Sequence, residues 1–168
     1  EIFRNPIFYS IAPASVMSQA SFIALQSLWA GQWLRDVELM SRDETAFVLL
    51  IAAAAMTAGF LLMGVIAVNL QKKGITPQTL SLIGIFLFVL TQIAIVFQLP
   101  ISSSTLWIAF GFIGTSGSLI YASLSQQFPK RLTGRVNTSL NLLLFIAIFL
   151  LQWGMGLIIE YWLPDSTG

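Results

Sequence analysis

The amino-acid sequence predicts an all-helical bundle that crosses a membrane five times. Hydrophobic residues make up 57% of the 168 residues and charged residues only 9%, against roughly 25% charged residues in an average soluble domain. A chain of this size has too few polar side chains to cover a soluble fold. Long apolar runs alternate with short charged segments and lack the period-two pattern of a β-barrel. Each run is therefore predicted to be a helix, which satisfies its own backbone hydrogen bonds in lipid.

Five apolar runs are long enough to cross about 30 Å of hydrocarbon at about 1.5 Å per residue. We expect a single transmembrane domain over 1–168, with spans 1 to 5 at approximately 6–34, 45–69, 77–99, 104–128 and 136–159. Span 1 contains Pro13, which predicts a kink because proline removes a helical hydrogen bond. Span 2 follows Ser41 and Glu44, whose S-x-x-E spacing is that of a capping box.

Local signals also delimit spans 3 to 5. Thr76 stands before Pro77, a pattern typical of a cap followed by proline at the first helical position. Pro100 and the serines after it predict a turn between spans 3 and 4. Pro129 ends span 4, because proline cannot continue a helix, and span 5 follows the basic segment after it.

The charges between the spans predict the orientation. The N-terminus and the loops after spans 2 and 4 share one side, which holds a single acid, Glu1, and six basic residues: Arg4, Lys72, Lys73, Lys130, Arg131 and Arg135. The opposite side holds two basic and six acidic residues. Since Lys and Arg concentrate in cytoplasmic loops, the basic side is predicted to be cytoplasmic, in a multi-pass protein of the inner (plasma) membrane.

Residues 28–44 contain six of the fifteen charged side chains. With the orientation above, this segment is an external loop. It is either a solvated acidic loop or a gate made of ion pairs, such as Arg35 with Asp36. Trp29 and Trp33 precede all six of these charges and are candidates for the aromatic belt at the membrane interface.

Polar residues within the spans fall on helical faces. One arc of span 1 carries Ser15, Ser18, Gln19, Gln26, Trp29 and Trp33 at 100° per residue, and one arc of span 5 carries Asn137, Asn141 and Gln152. Span 4 carries a stripe of small and hydroxyl residues: Gly111, Gly114, Ser118, Tyr121 and Ser125. Such residues commonly join helices without any ligand. Polar faces on several spans are also what a shared aqueous cavity requires, so both explanations remain open.

Several classes of function are disfavoured by composition. The chain contains no Cys and no His, so thiolate chemistry, imidazole bases and Cys or His metal sites are absent, and neither a metal nor a cofactor is expected. A net charge of +1 disfavours a nucleic-acid partner.

Residues 114–117 match the G-x-S-G motif of rhomboid-type intramembrane proteases, but a serine nucleophile needs a base. Helix packing explains these small residues better, and we expect no enzyme activity.

Three segments resemble the C-terminal half of a bacterial-type major facilitator superfamily transporter: LQSLWAGQWLRDVELMSRDE, GFLLMGVIAVNLQKKGITPQTL and PKRLTGRVNTSLNLLLFIAIFLLQWGMGLIIEYW. The second departs from the G-x-x-x-D-R-x-G-R-R loop of that family, with Asn69 near the position of the acid. The resemblance implies that spans 1 to 5 correspond to helices seven to eleven of such a transporter. The fold would then be half of that architecture without its last helix.

The resemblance also implies secondary active transport by alternating access, with a small solute bound near the midplane between this bundle and an N-terminal half of the same protein. The chain begins at Glu1, without an initiator methionine, and we expect a piece of a longer protein that self-associates when isolated. The candidate substrate contacts are Gln19, Gln26, Trp29, Tyr121, Asn141 and Gln152. The alternative is a non-transporting membrane module, such as an assembly or receptor subunit, whose polar faces bind only helices.

Overall fold

Helices make up almost all of the chain that the computed structural model describes, which is residues 6–162 apart from the side chains of Ile7, Ser125 and Trp162. The elements are α1 (Pro6–Ala24), a π-helical turn (Leu25–Trp29), α2 (Ala30–Asp36), α3 (Arg42–Gln71), α4 (Pro77–Val96), α5 (Ser103–Gly114), α6 (Gly117–Gln126) and α7 (Lys130–Trp162). No strand occurs between residues 6 and 162. Five helical stretches are long and apolar enough to cross a membrane. The prediction of an all-helical fold with five helices of membrane-spanning length and apolarity is confirmed.

The predicted helix starts agree with the structure where side chains cap the backbone. The Ser41 hydroxyl accepts from the Glu44 amide, and the Glu44 carboxylate accepts from the Ser41 amide at 2.9 Å, which completes the capping box of α3. Thr76 caps α4 by accepting from the Thr79 amide at 3.2 Å, with Pro77 at the first helical position. These starts depend only on neighbouring residues, which is why the sequence reveals them.

Two helices extend beyond the predicted spans. α3 and α7 are longer than 45–69 and 136–159 at both ends, because a helix continues to form its own hydrogen bonds after it leaves the hydrocarbon. Lys130, Arg131 and Arg135 therefore lie in the first two turns of α7 and not in the preceding loop, where they were predicted. Lys72 and Lys73 do lie in the turn after α3. All five basic residues are exposed, so the charge asymmetry behind the predicted orientation is kept.

Span 1 is interrupted by the π-helical turn, while Pro13 lies within the continuous helix α1. The Ala30 amide donates to the carbonyl of Leu25, five residues earlier, and the Ser27 hydroxyl donates to the Ile23 carbonyl at 2.6 Å. One extra residue in the turn moves every later side chain by about one position, or roughly 100° around the axis. The single polar arc predicted for span 1 therefore divides into two faces.

Span 4 is not the continuous helix predicted for 104–128. It breaks between α5 and α6 at residues 114–117, which we call the GTSG junction. There the backbone bonds reach three residues back instead of four: the Ser118 amide donates to the Thr115 carbonyl and the Leu119 amide to the Ser116 carbonyl, both at 3.1 Å. The tighter turn leaves carbonyl groups at the junction open to side chains from other spans.

Span 4 is the centre of the bundle, since α5 and α6 together pack against all four other spans. Phe110 of α5 lies against Phe22 and Phe88, with ring centroids 5.5 and 5.0 Å apart, and joins α1 and α4 to the core. α7 is the most exposed of the five spans and packs mainly on α1 and α6. The arrangement leaves a long face of α7 open to lipid or to another protein.

Candidate substrate-binding site

The GTSG junction is held by hydrogen bonds from two other spans. Gln19 of α1 donates its side-chain amide to the Gly114 carbonyl at 3.3 Å. Ser81 of α4 donates its hydroxyl to the Ser116 carbonyl at 2.7 Å. Both donors are buried. A broken helix inside a bundle is tolerated when neighbouring side chains satisfy its free backbone groups, and these two bonds do so here.

Close packing explains the glycines around this break. A Cβ atom on Gly117 would lie 2.6 Å from the side-chain nitrogen of Gln19, and one on Gly84 would meet the Ser116 side chain. Ser116, the serine of the G-x-S-G match, is only 1% exposed, and its hydroxyl has no hydrogen-bond partner. A catalytic serine requires a base within hydrogen-bonding distance, and no base among the described residues contacts this hydroxyl. The local geometry is that of a tight helix crossing.

A polar pocket of about 380 Å³ lies beside the GTSG junction, between α1, α6 and α7. We use this name for the recess lined by Gln19, Ser118, Tyr121, Ala122, Asn137, Asn141 and Leu144. α1 contributes one amide, α6 two hydroxyl groups and α7 two further amides. The volume lies within the range of small-molecule sites, which is about 300–1,000 Å³.

Hydrogen bonds across the polar pocket tie α6 to α7. The Tyr121 hydroxyl lies 3.0 Å from the Asn137 carbonyl oxygen and 2.5 Å from the Asn141 side-chain oxygen, and both atoms are acceptors. A phenol carries one proton, so it can donate to only one of them at a time. The side-chain oxygen of Asn137 is buried without a partner. The pocket wall therefore includes a hydroxyl with two alternative partners.

The polar pocket has no charged side chain among the described residues that line it. The described part of the chain also contains no group of three His, Cys, Asp or Glu residues placed to hold a metal ion. Amide and hydroxyl groups both donate and accept hydrogen bonds. The described lining residues can therefore offer a solute both donors and acceptors.

Three of the six residues predicted as substrate contacts, Gln19, Tyr121 and Asn141, line the polar pocket. Gln152 instead donates to the Ser27 hydroxyl at 3.0 Å and joins α7 to the π-helical turn. Trp29 lines a second pocket near the other end of the bundle, and Gln26 lines neither. Gln26 and Trp29 follow Gln19 by about 10 and about 15 Å along the helix, at about 1.5 Å per residue, so they lie beyond the polar pocket on the axis of span 1.

Ser118 and Asn137 also line the polar pocket, although neither was selected as a substrate contact. Both belong to the polar arcs recognised in the sequence, so a signal for them existed. What the sequence lacked was the alignment of α6 with α7, which decides which members of each arc face a common space.

An apolar layer follows the polar pocket along α1 and α7. Ala20 and Ala24 of α1 pack with Ile148 of α7, all three buried. By position on these helices, this layer lies between the polar pocket and the bond from Gln152 to Ser27. The layer separates the pocket from the end of the bundle predicted to be external.

Comparison with known proteins adds no family assignment. The chain matches no family model, no curated protein and no solved structure.

Proposed function

We propose that this chain forms one helical bundle of a secondary active transporter that moves a small solute by alternating access, and that the polar pocket contributes to its substrate site. One observation carries the proposal. Polar side chains that the sequence places on three separate spans, Gln19, Tyr121 and Asn141, line one recess within the membrane-spanning part of the bundle. Polar groups are costly in lipid unless they form hydrogen bonds. Water in a substrate cavity can supply those hydrogen bonds.

Two further features support a transport role. The GTSG junction interrupts a central span beside the pocket, and transporters commonly bind their substrates at discontinuous helices near the midplane. The apolar layer of Ala20, Ala24 and Ile148 lies on one side of the pocket, as a barrier does in a state open to one face only. The resemblance to the major facilitator superfamily favours the same function, with an N-terminal half as the opposing wall, in the inner membrane of a bacterium.

The competing proposal is a membrane module without transport activity, an assembly or receptor subunit whose polar groups only hold helices together. Two contacts favour it. The bonds from Gln19 to the Gly114 carbonyl and from Gln152 to Ser27 both join helices of this chain, as polar side chains do in membrane proteins that bind no ligand. The two proposals differ in whether water reaches the polar pocket.

Cysteine labelling separates them, and the chain has no native cysteine to interfere. We expect single cysteines at Asn141 and Ala122, exposed residues of the polar pocket, to react rapidly with a small hydrophilic methanethiosulfonate. Leu87 and Val89 of α4 are also exposed and are the matched controls. Cysteines there should react slowly, because a thiol in lipid stays protonated and only the thiolate is nucleophilic.

A solute that slows labelling at Asn141 would then identify the substrate. Replacing Asn141 by Leu should abolish uptake of that solute by the full-length protein without lowering its expression. Equal labelling of all four positions, or none at Asn141 and Ala122, would favour the non-transporting module.

A further inference from the structure

A second recess, the aromatic pocket, has a volume of about 590 Å³. It is lined by four aromatic residues, three polar residues and otherwise apolar side chains; the aromatic and polar ones are Trp29, Trp33, Trp107, Phe110, Gln32, Asp36 and Gln92. It lies where α2 and α4 end, α5 begins and α7 nears its end. With the predicted orientation, this is the external end of the bundle. The apolar layer of Ala20, Ala24 and Ile148 separates it from the polar pocket along α1 and α7.

The aromatic pocket is lined by two tryptophans whose N–H groups have no hydrogen-bond partner among the described residues. The indole N–H groups of Trp29 and Trp107 are both buried without a partner, and Trp107 as a whole is only 4% exposed. Trp33 differs, since its N–H donates to the Glu38 carboxylate at 3.3 Å. Buried indole N–H groups usually find a partner. Both nitrogen atoms are shielded from the recess as well as from solvent, so a ligand there would contact ring carbons of these tryptophans and not their N–H groups.

The charge of the aromatic pocket comes from Asp36 alone among the described residues that line it. The Asp36 carboxylate is exposed and has no hydrogen bond or ion pair with another described residue. The neighbouring carboxylate, Glu38, is occupied by Trp33 and by the Ser103 hydroxyl. Arg35 donates its Nε to the Gly31 carbonyl at 3.2 Å and does not line the pocket. Among the described lining residues, an approaching ligand therefore meets one negative charge and no positive one.

We infer that the aromatic pocket binds a bulky apolar organic cation. The faces of the tryptophan rings attract a cation through their quadrupoles, and this attraction is larger when the cation is desolvated. The apolar walls accept the hydrocarbon part of the ligand, and Asp36 compensates its charge. This site is distinct from the polar pocket and does not depend on the proposed transport function.

A pair of ions with nearly the same shape and opposite charge tests the inference. Radiolabelled tetraphenylphosphonium and tetraphenylborate are each equilibrated with the full 168-residue chain in nanodiscs of zwitterionic lipid, and the saturable fraction is measured against empty nanodiscs. We expect saturable binding of the cation and none of the anion. Equal or tighter binding of the anion, or no saturable binding of the cation, would overturn the proposal and leave an apolar recess that lipid chains fill. This comparison needs no variant, so it does not depend on mutant folding.

Variants then locate the site. Asp36→Asn should weaken cation binding roughly three- to fivefold, the effect of an exposed ion pair, whereas Asp43→Asn, which removes an exposed external carboxylate outside the pocket, should not change it. Gln32→Trp adds bulk to an exposed lining residue and should reduce binding severalfold, with Leu61→Trp on the exposed face of α3 as its control. Cation binding that is unaffected by Asp36→Asn and Gln32→Trp would place the ligand elsewhere and refute the assignment.

Discussion

Glu38 shows at the scale of one residue how the external segment is ordered. Its carboxylate accepts from the Trp33 indole N–H at 3.3 Å and from the Ser103 hydroxyl in the first turn of α5. A negative charge at a helix N-terminus is favourable because of the helix dipole. The sequence suggested either a solvated acidic loop or ion pairs such as Arg35 with Asp36, but Glu38 binds uncharged donors, and Asp36 has no partner among the described residues. A single carboxylate thus connects the end of span 1 to the start of span 4.

Replacing Glu38 by Gln should lower the stability of the external end. The variant keeps the shape but removes the charge, and hydrogen bonds to a charged group contribute more than neutral ones, so we expect a loss of about 1–2 kcal/mol. The measurement is the thermal unfolding midpoint in detergent, followed by fluorescence of the tryptophans. Asp36→Asn is the control, because it removes a neighbouring exposed carboxylate without a partner. An equal shift for both variants would mean that Glu38 acts only through the net charge of the loop.

Close approach of helices decides the packing at the scale of elements. α5 and α3 touch where Gly111 of α5 lies against the Ala52 backbone and Gly59 of α3 lies against Thr115. Backbones approach this closely in membranes only at small residues. α3 also contains Gly64, where an added Cβ would meet no atom within 4 Å. α3 therefore contains both a packing glycine and a free one.

Alanine substitutions at these two glycines should have opposite effects. A Cβ on Gly59 would lie 2.6 Å from the Thr115 hydroxyl and 2.8 Å from the Phe112 carbonyl oxygen, so Gly59→Ala should destabilise the bundle by about 1–3 kcal/mol. Gly64→Ala introduces no clash and should be neutral, or stabilising by up to about 1 kcal/mol through helix propensity. Unfolding in a denaturing detergent measures both. Similar results for the two variants would contradict the close contact between α3 and α5.

Across the whole molecule, the contacts at the two ends of the bundle fit spans that run in alternating directions. Phe8 and Ala12 near the start of α1 pack with Phe128 and with Leu132 in the first turn of α7, at one end of the bundle. The aromatic pocket gathers the ends of α2 and α4 at the other. The exposed basic residues Lys72, Lys73, Lys130, Arg131 and Arg135 belong to the first end. Their position predicts which end faces the cytoplasm.

Labelling of intact cells tests this orientation. A cysteine at Leu39, which is 83% exposed, or at the exposed Ser102 should react with a membrane-impermeant maleimide added outside. A cysteine at the exposed residues Gln71 or Lys73 should react only after the membrane is permeabilised. The charge difference between the two sides fixes these outcomes, because Lys and Arg resist translocation. The opposite pattern would invert the bundle, and reaction at all four positions from outside would refute the membrane topology.

The sequence by itself determined the five spans and the capped starts of α3 and α4. These features rest on the length of apolar runs, on backbone hydrogen bonds within each run and on side chains three residues apart, such as Ser41 and Glu44, so all of them are local. The polar arcs of spans 1, 4 and 5 were local as well, and they contained every polar residue of the polar pocket.

Only the tertiary structure decided where spans 1 and 4 break and which polar residues meet. The break in span 4 is stabilised by Gln19 and Ser81, donors that are distant from it in the chain, so no short stretch of sequence encodes it. The π-helical turn in span 1 changes the direction of the side chains that follow it, and a constant 100° per residue cannot represent that rotation. The membership of a pocket depends on the alignment of separate helices, and side chains that are distant in the sequence fix that alignment.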